Sequence, residues 1–326
     1  MKSRTVFLFS ALLMTAMCMG AVGDVTAQSN FPERKIELVV PWSAGGGTDR
    51  TARLLADVAQ KELGVPVFVT NRTGGAGVVG HHFVTQAKPD GYTLCMMTVE
   101  ICTVSHLGIA KVYPTGFDPV VLCNFDAAAI TVRADAPYET IQDFIADAKR
   151  KKGQGGLRVG NSGPGAIWHL AAAGFAQATD IELRYVPYDG AAPAIRALLG
   201  GEIEAVSVSG AEVLTNVEAG LLKTLCVFND ERLDILPDVP ALSEMGIDFK
   251  LGAWRGIAAP KGVPPEVMKK LEAAFTKAYE SERFQEIMKN NGLGMLYLNH
   301  EQFDKFLPEQ YEKFRGIIRN LGLIAE

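Results

Sequence analysis

Two glycine-rich stretches hold the residues best placed to do chemistry. The first, Pro41-Trp42-Ser43-Ala44-Gly45-Gly46-Gly47-Thr48-Asp49, follows a β-branched run and precedes an amphipathic one. Three consecutive glycines let backbone N–H groups turn toward a ligand, and the positive end of the following helix adds to them. Such a loop suits an anion without a committed charged side chain. The same spacing also serves a plain strand-to-helix turn with Asp49 as its cap. It lacks the Gly-Lys-Ser/Thr ending of a nucleotide P-loop, which disfavours a triphosphate. The second stretch is Gly160-Asn161-Ser162-Gly163-Pro164-Gly165. It approaches the G-x-S-x-G nucleophile elbow, but Pro164 replaces the last glycine and His169, in the next helix, completes no triad. No catalytic residue is assigned.

Other motifs compete. Gly75-Ala76-Gly77-Val78-Val79-Gly80 satisfies G-x-G-x-x-G, with Glu100 about twenty residues on, which is the pattern of a dinucleotide fingerprint. An exported oxidoreductase is therefore the alternative function. A close helix-to-sheet packing turn is the preferred reading, because an export signal would remove the chain from the cytoplasmic nicotinamide pool and no acid–base cluster accompanies the motif. His81-His82 lacks the spacing that puts two imidazoles on one helix face around zinc. Cys95, Cys102, Cys123 and Cys226 form no C-x-x-C pair. Neither metal nor cofactor is expected. Trp168, after the second glycine loop, and Trp254, on a later strand, are candidates for ligand contact or for core.

The elements that must position these loops alternate short β-branched strands with amphipathic helices, the signature of an α/β sheet covered by helices. Strands are expected at 36–40, 65–70 and 92–98, with helices at about 48–63 and 78–87. Around 119–133 the pattern changes to two strand-like runs, Val120–Phe125 and Ala129–Val132, without a helix between them, and the chain is expected to cross there into a second lobe. That lobe repeats the plan through strands at 157–160, 182–187, 205–209 and 224–228. Residues 249–258 return the chain to the first lobe, where two C-terminal helical stretches, 265–290 with a break and 301–321, pack. The expected organisation is 1–27 signal peptide, 28–125 lobe 1, 126–250 lobe 2, and 251–326 the rest of lobe 1. In open α/β sheets ligands sit beyond the carboxyl ends of strands, so the two glycine loops should face each other across a cleft between lobes.

Composition agrees. The 326 residues are 48% hydrophobic and 21% charged, enough for two cores. A formal net charge of -5 without a basic stripe argues against nucleic acid. Lys2 and Arg4 precede the apolar run Val6–Met19, and Val25-Thr26-Ala27 offers a cleavage site before Gln28, so a secretory signal and a periplasmic location are expected. Cys18 follows Met17 rather than a small residue, which disfavours lipid anchoring.

Residues 31–326 resemble the substrate-binding receptors of tripartite tricarboxylate transporters, the Bug-type receptors. The resemblance is carried by Phe31-Pro32-Glu33-Arg34, Val39-Val40-Pro41 with Ala44 to Asp49, Asn71-Arg72, and Pro89-Asp90-Gly91-Tyr92-Thr93-Leu94. It continues in Val186-Pro187-Tyr188, Leu199-Gly200-Gly201, Leu236-Pro237-Asp238-Val239-Pro240 and Ala259-Pro260. It implies a type II periplasmic binding protein fold, a monomer closing on its ligand by hinge motion and delivering a small organic acid or amino-acid-like cargo to membrane permease subunits. Carried over by position, Trp42 to Asp49 form one cradle, with Ser43, Ala44, Gly45 and Gly46 nearest the anion. Gly160 to Gly165 form the other, with Ser162 as hydroxyl donor, Asn161 and Gly163 among its contacts, and Trp168 and His169 just beyond. Thr98, Glu100, Asp189 and Ser209 should line the distal pocket. Glu100 and Asp189 are unexpected beside an anion, since an unpaired buried carboxylate there is penalised. Either they point away or they meet a positive group, such as an ammonium on the ligand.

Overall fold

The computed structural model describes residues 30–325; the expected signal peptide, Cys18 included, lies outside the described residues. Strands β1 (Ile36–Val40), β2 (Val67–Asn71) and β3 (Thr93–Thr98) run parallel in the order β2-β1-β3, joined by α1 (Gly47–Leu63) and α2 (Val78–Thr85). Each β1 residue except Glu37 is buried, as expected of a strand covered on both faces. The chain then enters β4 (Phe117–Arg133), a single strand of 17 residues. Two separate strands were expected here, Val120–Phe125 and Ala129–Val132, with the polar Asn124 and Asp126 near their junction. The pleat runs through them because both side chains are buried and hydrogen-bonded to Arg255 from the neighbouring strand.

The following segment forms α3 (Ile141–Arg150), β5 (Leu157–Asn161), α4 (Ile167–Thr179), β6 (Leu183–Pro187), α5 (Ala191–Leu199), β7 (Ala205–Ser209), α6 (Gly210–Glu218) and β8 (Leu222–Val227). β6, β5 and β7 are parallel, and the second part of β4 pairs antiparallel with both β7 and β8. β9 (Gly252–Pro260) returns between β3 and β4, antiparallel to each. The chain ends with α7 (Pro265–Glu280), α8 (Glu282–Asn290), β10 (Met295–Leu298) and α9 (His300–Asn320). β10, which the sequence pattern did not suggest, adds to the outer edge of β4.

β4 thus belongs to two strand arrays. Its residues 117–127 face β9, and 128–133 face β7 and β8. Capping follows local chemistry where the sequence offers it: Thr140 and Asp143 form a capping box at α3, and Ser209 and Glu212 form one at α6. No helix among the described residues is long and apolar enough to cross a membrane.

Candidate functional site

The two glycine loops do meet. With the carboxyl end of β3 and the start of α6 they enclose a cavity of about 20 Å3, space for about one water. From the first loop it is lined by Trp42, Ser43, Gly46, Gly47 and Thr48, and from the second by Ser162, Ile167 and Trp168. Thr98 and Glu100 come from the end of β3, and Gly190, Ala191, Glu212, Ala253 and Arg255 complete the wall. The halves are tied across it: Ser43 N donates to Asp189 O at 3.2 Å, and Arg50 Nη2 to Ala211 O at 3.1 Å.

Two helix-start amides at the cavity already hold protein carboxylates. Gly47 N, in the first turn of α1, donates to Glu212 Oε1 at 2.8 Å. Ile167 N, in the first turn of α4, donates to Glu100 Oε1 at 3.0 Å. Each carboxylate sits at the positive end of a helix, where negative charge is favoured. Glu212 is held at its other oxygen by Ser209 N and Oγ, both at 3.2 Å. Thr98 Oγ1 donates to Glu100 Oε2 and accepts from Trp42 Nε1 at 3.3 Å. Burial nonetheless dominates at Glu100 and pushes its carboxyl above the usual range, against the lowering by Thr98, Ile167 N and the Arg255 charge.

Arg255 is the cation that sequence reasoning missed. It is 2% exposed, and its Nε donates to Thr48 Oγ1 at 2.9 Å while Nη1 serves Asn124 Oδ1 and Asp126 Oδ2. Its Nη2 lies 3.8 Å from Glu212 Oε1. Burial works against its charge, but Asp126 and Glu212 more than compensate and raise its pKa. The geometry follows from strand pairing: Arg255 stands opposite Asn124, and Asp126, two residues on, shares the same face. Gly47 must lack a side chain here, since a Cβ would stand 2.9 Å from Arg255 Nη2 and 3.0 Å from Glu212 Oε1. A lone arginine in the apolar run 252–260, and the Ser209-x-x-Glu212 capping pattern, were the available signals.

The remaining expected residues lie off this cavity. Ala44 and Gly45 are exposed. Asp49 is buried, which raises its pKa, but Arg53, Gly45 N and Asn71 outweigh that and hold the carboxyl below its ordinary value. Asn161 Oδ1 accepts from Gly163 N at 2.9 Å, and His169 Nδ1 from Gly165 N at 3.1 Å. Ser209 caps α6. Gly163 and Asp189 line a separate surface groove that also reaches Ser43 and Ser162. Trp254 packs edge-on against Phe303 and Phe306 in the core. In the dinucleotide-like motif, a Cβ on Gly80 would stand 2.7 Å from Pro41 Cα, so this glycine lets α2 approach the end of β1. Cys95, Cys102, Cys123 and Cys226 are buried free thiols.

Comparison with known proteins gives the geometry its family. The model of the tripartite tricarboxylate transporter family receptor matches residues 51–323. A Cupriavidus necator protein described as "UPF0065 protein in gbd 5'region" is 33% identical over 319 residues, covering 96% of this chain and 95% of its own. The structure of the periplasmic binding protein BugD superposes with a TM-score of 0.84 at 30% identity, covering 91% of this chain and 100% of that one. An R. palustris protein solved with adipate gives the same TM-score at 25% identity, covering 91% of this chain and 99% of that one. The mixed α/β fold with its two joined strand arrays is that of periplasmic binding proteins, and the chain belongs to the tripartite tricarboxylate transporter receptor family.

Proposed function

We propose that the protein is an extracytoplasmic solute receptor that captures a small carboxylate-bearing metabolite, with amino-acid-like acids among the candidates, and hands it to the permease subunits of a tripartite tricarboxylate-type transporter. The observation that carries this reading is the cavity enclosed by the two glycine loops, into which Ser43 and Ser162 bring hydroxyls with no hydrogen-bond partner among the described residues. Buried polar groups are ordinarily paired, so two orphan hydroxyls in one cavity are suited to a polar solute. The relative solved with adipate supports a carboxylate cargo. In this reading Trp42, Ser43, Gly46, Thr48, Thr98, Glu100, Ser162 and Trp168 meet the ligand, and the chain works without catalysis as a monomer exported by its signal peptide. Residues 28–125 with 251–326 form one lobe and 126–250 the other, hinged where β4 passes from β9 to β7 near Ala127 and Ala128.

A thermal-shift screen of the purified protein against small carboxylates and amino acids tests the reading, because a ligand bound only by the folded state raises the melting temperature by mass action. A rise with at least one such solute, saturable and without turnover, is the expected outcome. Stabilisation by NAD(P) alone would instead support the oxidoreductase alternative at Gly75–Gly80.

A further inference from the structure

The charges around the cavity do not balance. Arg255 shares a direct ion pair with Asp126, both 2% exposed at the side chain. Its remaining donors are spent on Asn124 and Thr48, apart from Nη2, which stands beyond hydrogen-bond reach of Glu212 at 3.8 Å. Arg255 thus faces three carboxylates, Asp126 in direct contact, Glu212 at 3.8 Å and Glu100 through its charge alone, so a single cation leaves the wall short of positive charge. The helix amides Ile167 N and Gly47 N stabilise Glu100 and Glu212 as partial positive charges only. A second anionic group brought between these carboxylates would be repelled in a low-dielectric site, where charges act strongly on one another. A cation would be attracted by both. The walls suit it too, since Trp42 and Trp168 offer indole rings, the most favourable aromatic faces for a cation.

We propose that the cavity, which has room for about one water as it stands and must widen at the hinge to admit a solute, selects solutes bearing a protonated nitrogen, which Glu100 and Glu212 accept together while the hydroxyls of Ser43 and Ser162 serve the ligand's carboxylate. Solutes that carry an ammonium beside a carboxylate are the ligand class, and plain dianions and trianions bind more weakly. The inference rests on the receptor reading above and sharpens it. Glu100 and Glu212 are then specificity residues whose helix-amide bonds hold them in place before the ligand arrives. That preorganisation removes part of the ordering cost of binding. Burial acts in the same direction, because the raised pKa of Glu100 marks a carboxylate that gains from a cationic neighbour.

The test is calorimetry on matched pairs that differ only in the amino group: aspartate against succinate, glutamate against glutarate, 4-aminobutyrate against butyrate. The wild-type protein is compared with Glu100→Gln and Glu212→Gln, which keep an oxygen for Ile167 N and Gly47 N. The amino-bearing member should bind tighter in at least one pair. Each variant should weaken that member by about 10- to 100-fold, the worth of a charge-assisted hydrogen bond, while the des-amino acid holds or gains affinity. Thermal melts of the variants without ligand establish that they fold. Tighter binding of the des-amino member in every pair overturns the selection of a cation and leaves the receptor reading standing. Equal affinity of both variants and wild type for the amino-bearing ligand overturns it as well. Silence from both members of all pairs removes the inference; silence across the whole thermal-shift screen removes the carboxylate-receptor reading with it.

Discussion

Arg255→Met removes the one cation buried in the cavity wall among the described residues while keeping most of its volume. It leaves Asp126 Oδ2 without its partner in a site 2% exposed, although Oδ1 still accepts from Gly294 N at 2.8 Å and Asn124 Nδ2 at 3.1 Å. It also leaves Thr48 Oγ1 and Asn124 Oδ1 without their donor. Breaking a buried pair by deleting one member costs about 3–5 kcal/mol, because the surviving charge is stranded in low dielectric. Unfolding entropy is about 2.1 cal/mol/K per residue, so roughly 300 residues give about 0.6 kcal/mol/K, and the loss becomes a fall of about 5–8 °C in melting temperature. Calorimetric melts and urea titrations measure it. In Arg255→Met combined with Asp126→Asn, the directly paired charge is no longer stranded, although Glu212 and Glu100 still lose the Arg255 charge, and at least half of the loss should return. A single variant within about 1 kcal/mol of wild type would refute the pairing, as would a double variant whose loss equals the sum of the two singles within the usual additivity error of about 0.5 kcal/mol.

Burial lowers the pKa of His81 from 6.5 to about 4, and its Nε2 accepts from Thr98 N at 3.2 Å, so the fold requires the neutral ring. The folded state therefore binds fewer protons than the unfolded one between these values, and stability should fall by about 3 kcal/mol as pH drops from about 6.5 to about 4. His81→Gln should flatten that slope in pH-dependent urea titrations; an unchanged slope would assign the acid sensitivity elsewhere. Glu100 contributes with the opposite sign: its raised folded pKa makes its ionisation cost stability as pH rises above 4.5. Gly47→Ala should destabilise despite alanine's better helix propensity, by about 1–3 kcal/mol for overpacking against Arg255 and Glu212, and a melting temperature at or above wild type would contradict the close approach. The four buried thiols should resist a disulfide reagent in the native protein and react fully in guanidinium, since burial raises their pKa, to about 12 for Cys123. Rapid native labelling at any of these four would show that the surrounding core opens.

Local chemistry made most of the elements legible. The β-branched run 36–40, the glycine turn after it and the amphipathic stretch to Leu63 led directly to β1 and α1, because each segment satisfies its own hydrogen bonds and presents an apolar face. β4 was read as two strands, Val120–Phe125 and Ala129–Val132, and the partner that lets Asn124 and Asp126 sit buried in one continuous strand lies more than 120 residues away in sequence. The same distance hid Arg255 from the candidate site. The loops of the cavity were visible as glycine motifs, but what fills their amides was not. Glu212 reads locally as a helix-capping residue, and only tertiary pairing brings it to Gly47 N, 165 residues away. Ser162 and Trp168 reach the cavity while Asn161 and His169, their near neighbours, spend their side chains on the turn itself. Sequence spacing does not separate those two fates.

The position of β9 bears on the order in which the molecule can be completed. β9 lies between β3 and β4, yet its residues follow both of theirs by more than 100 positions. A chain emerging from its N-terminus would expose the apolar edges of β3 and of the first part of β4 until Gly252–Pro260 arrived. By then Ala128 to Val227 would already hold every strand of the β5–β8 array. Such late closure of a sheet by a distant strand is slow and leaves sticky intermediates. The nascent protein therefore needs those edges shielded until β9, the last but one strand to be made, closes them.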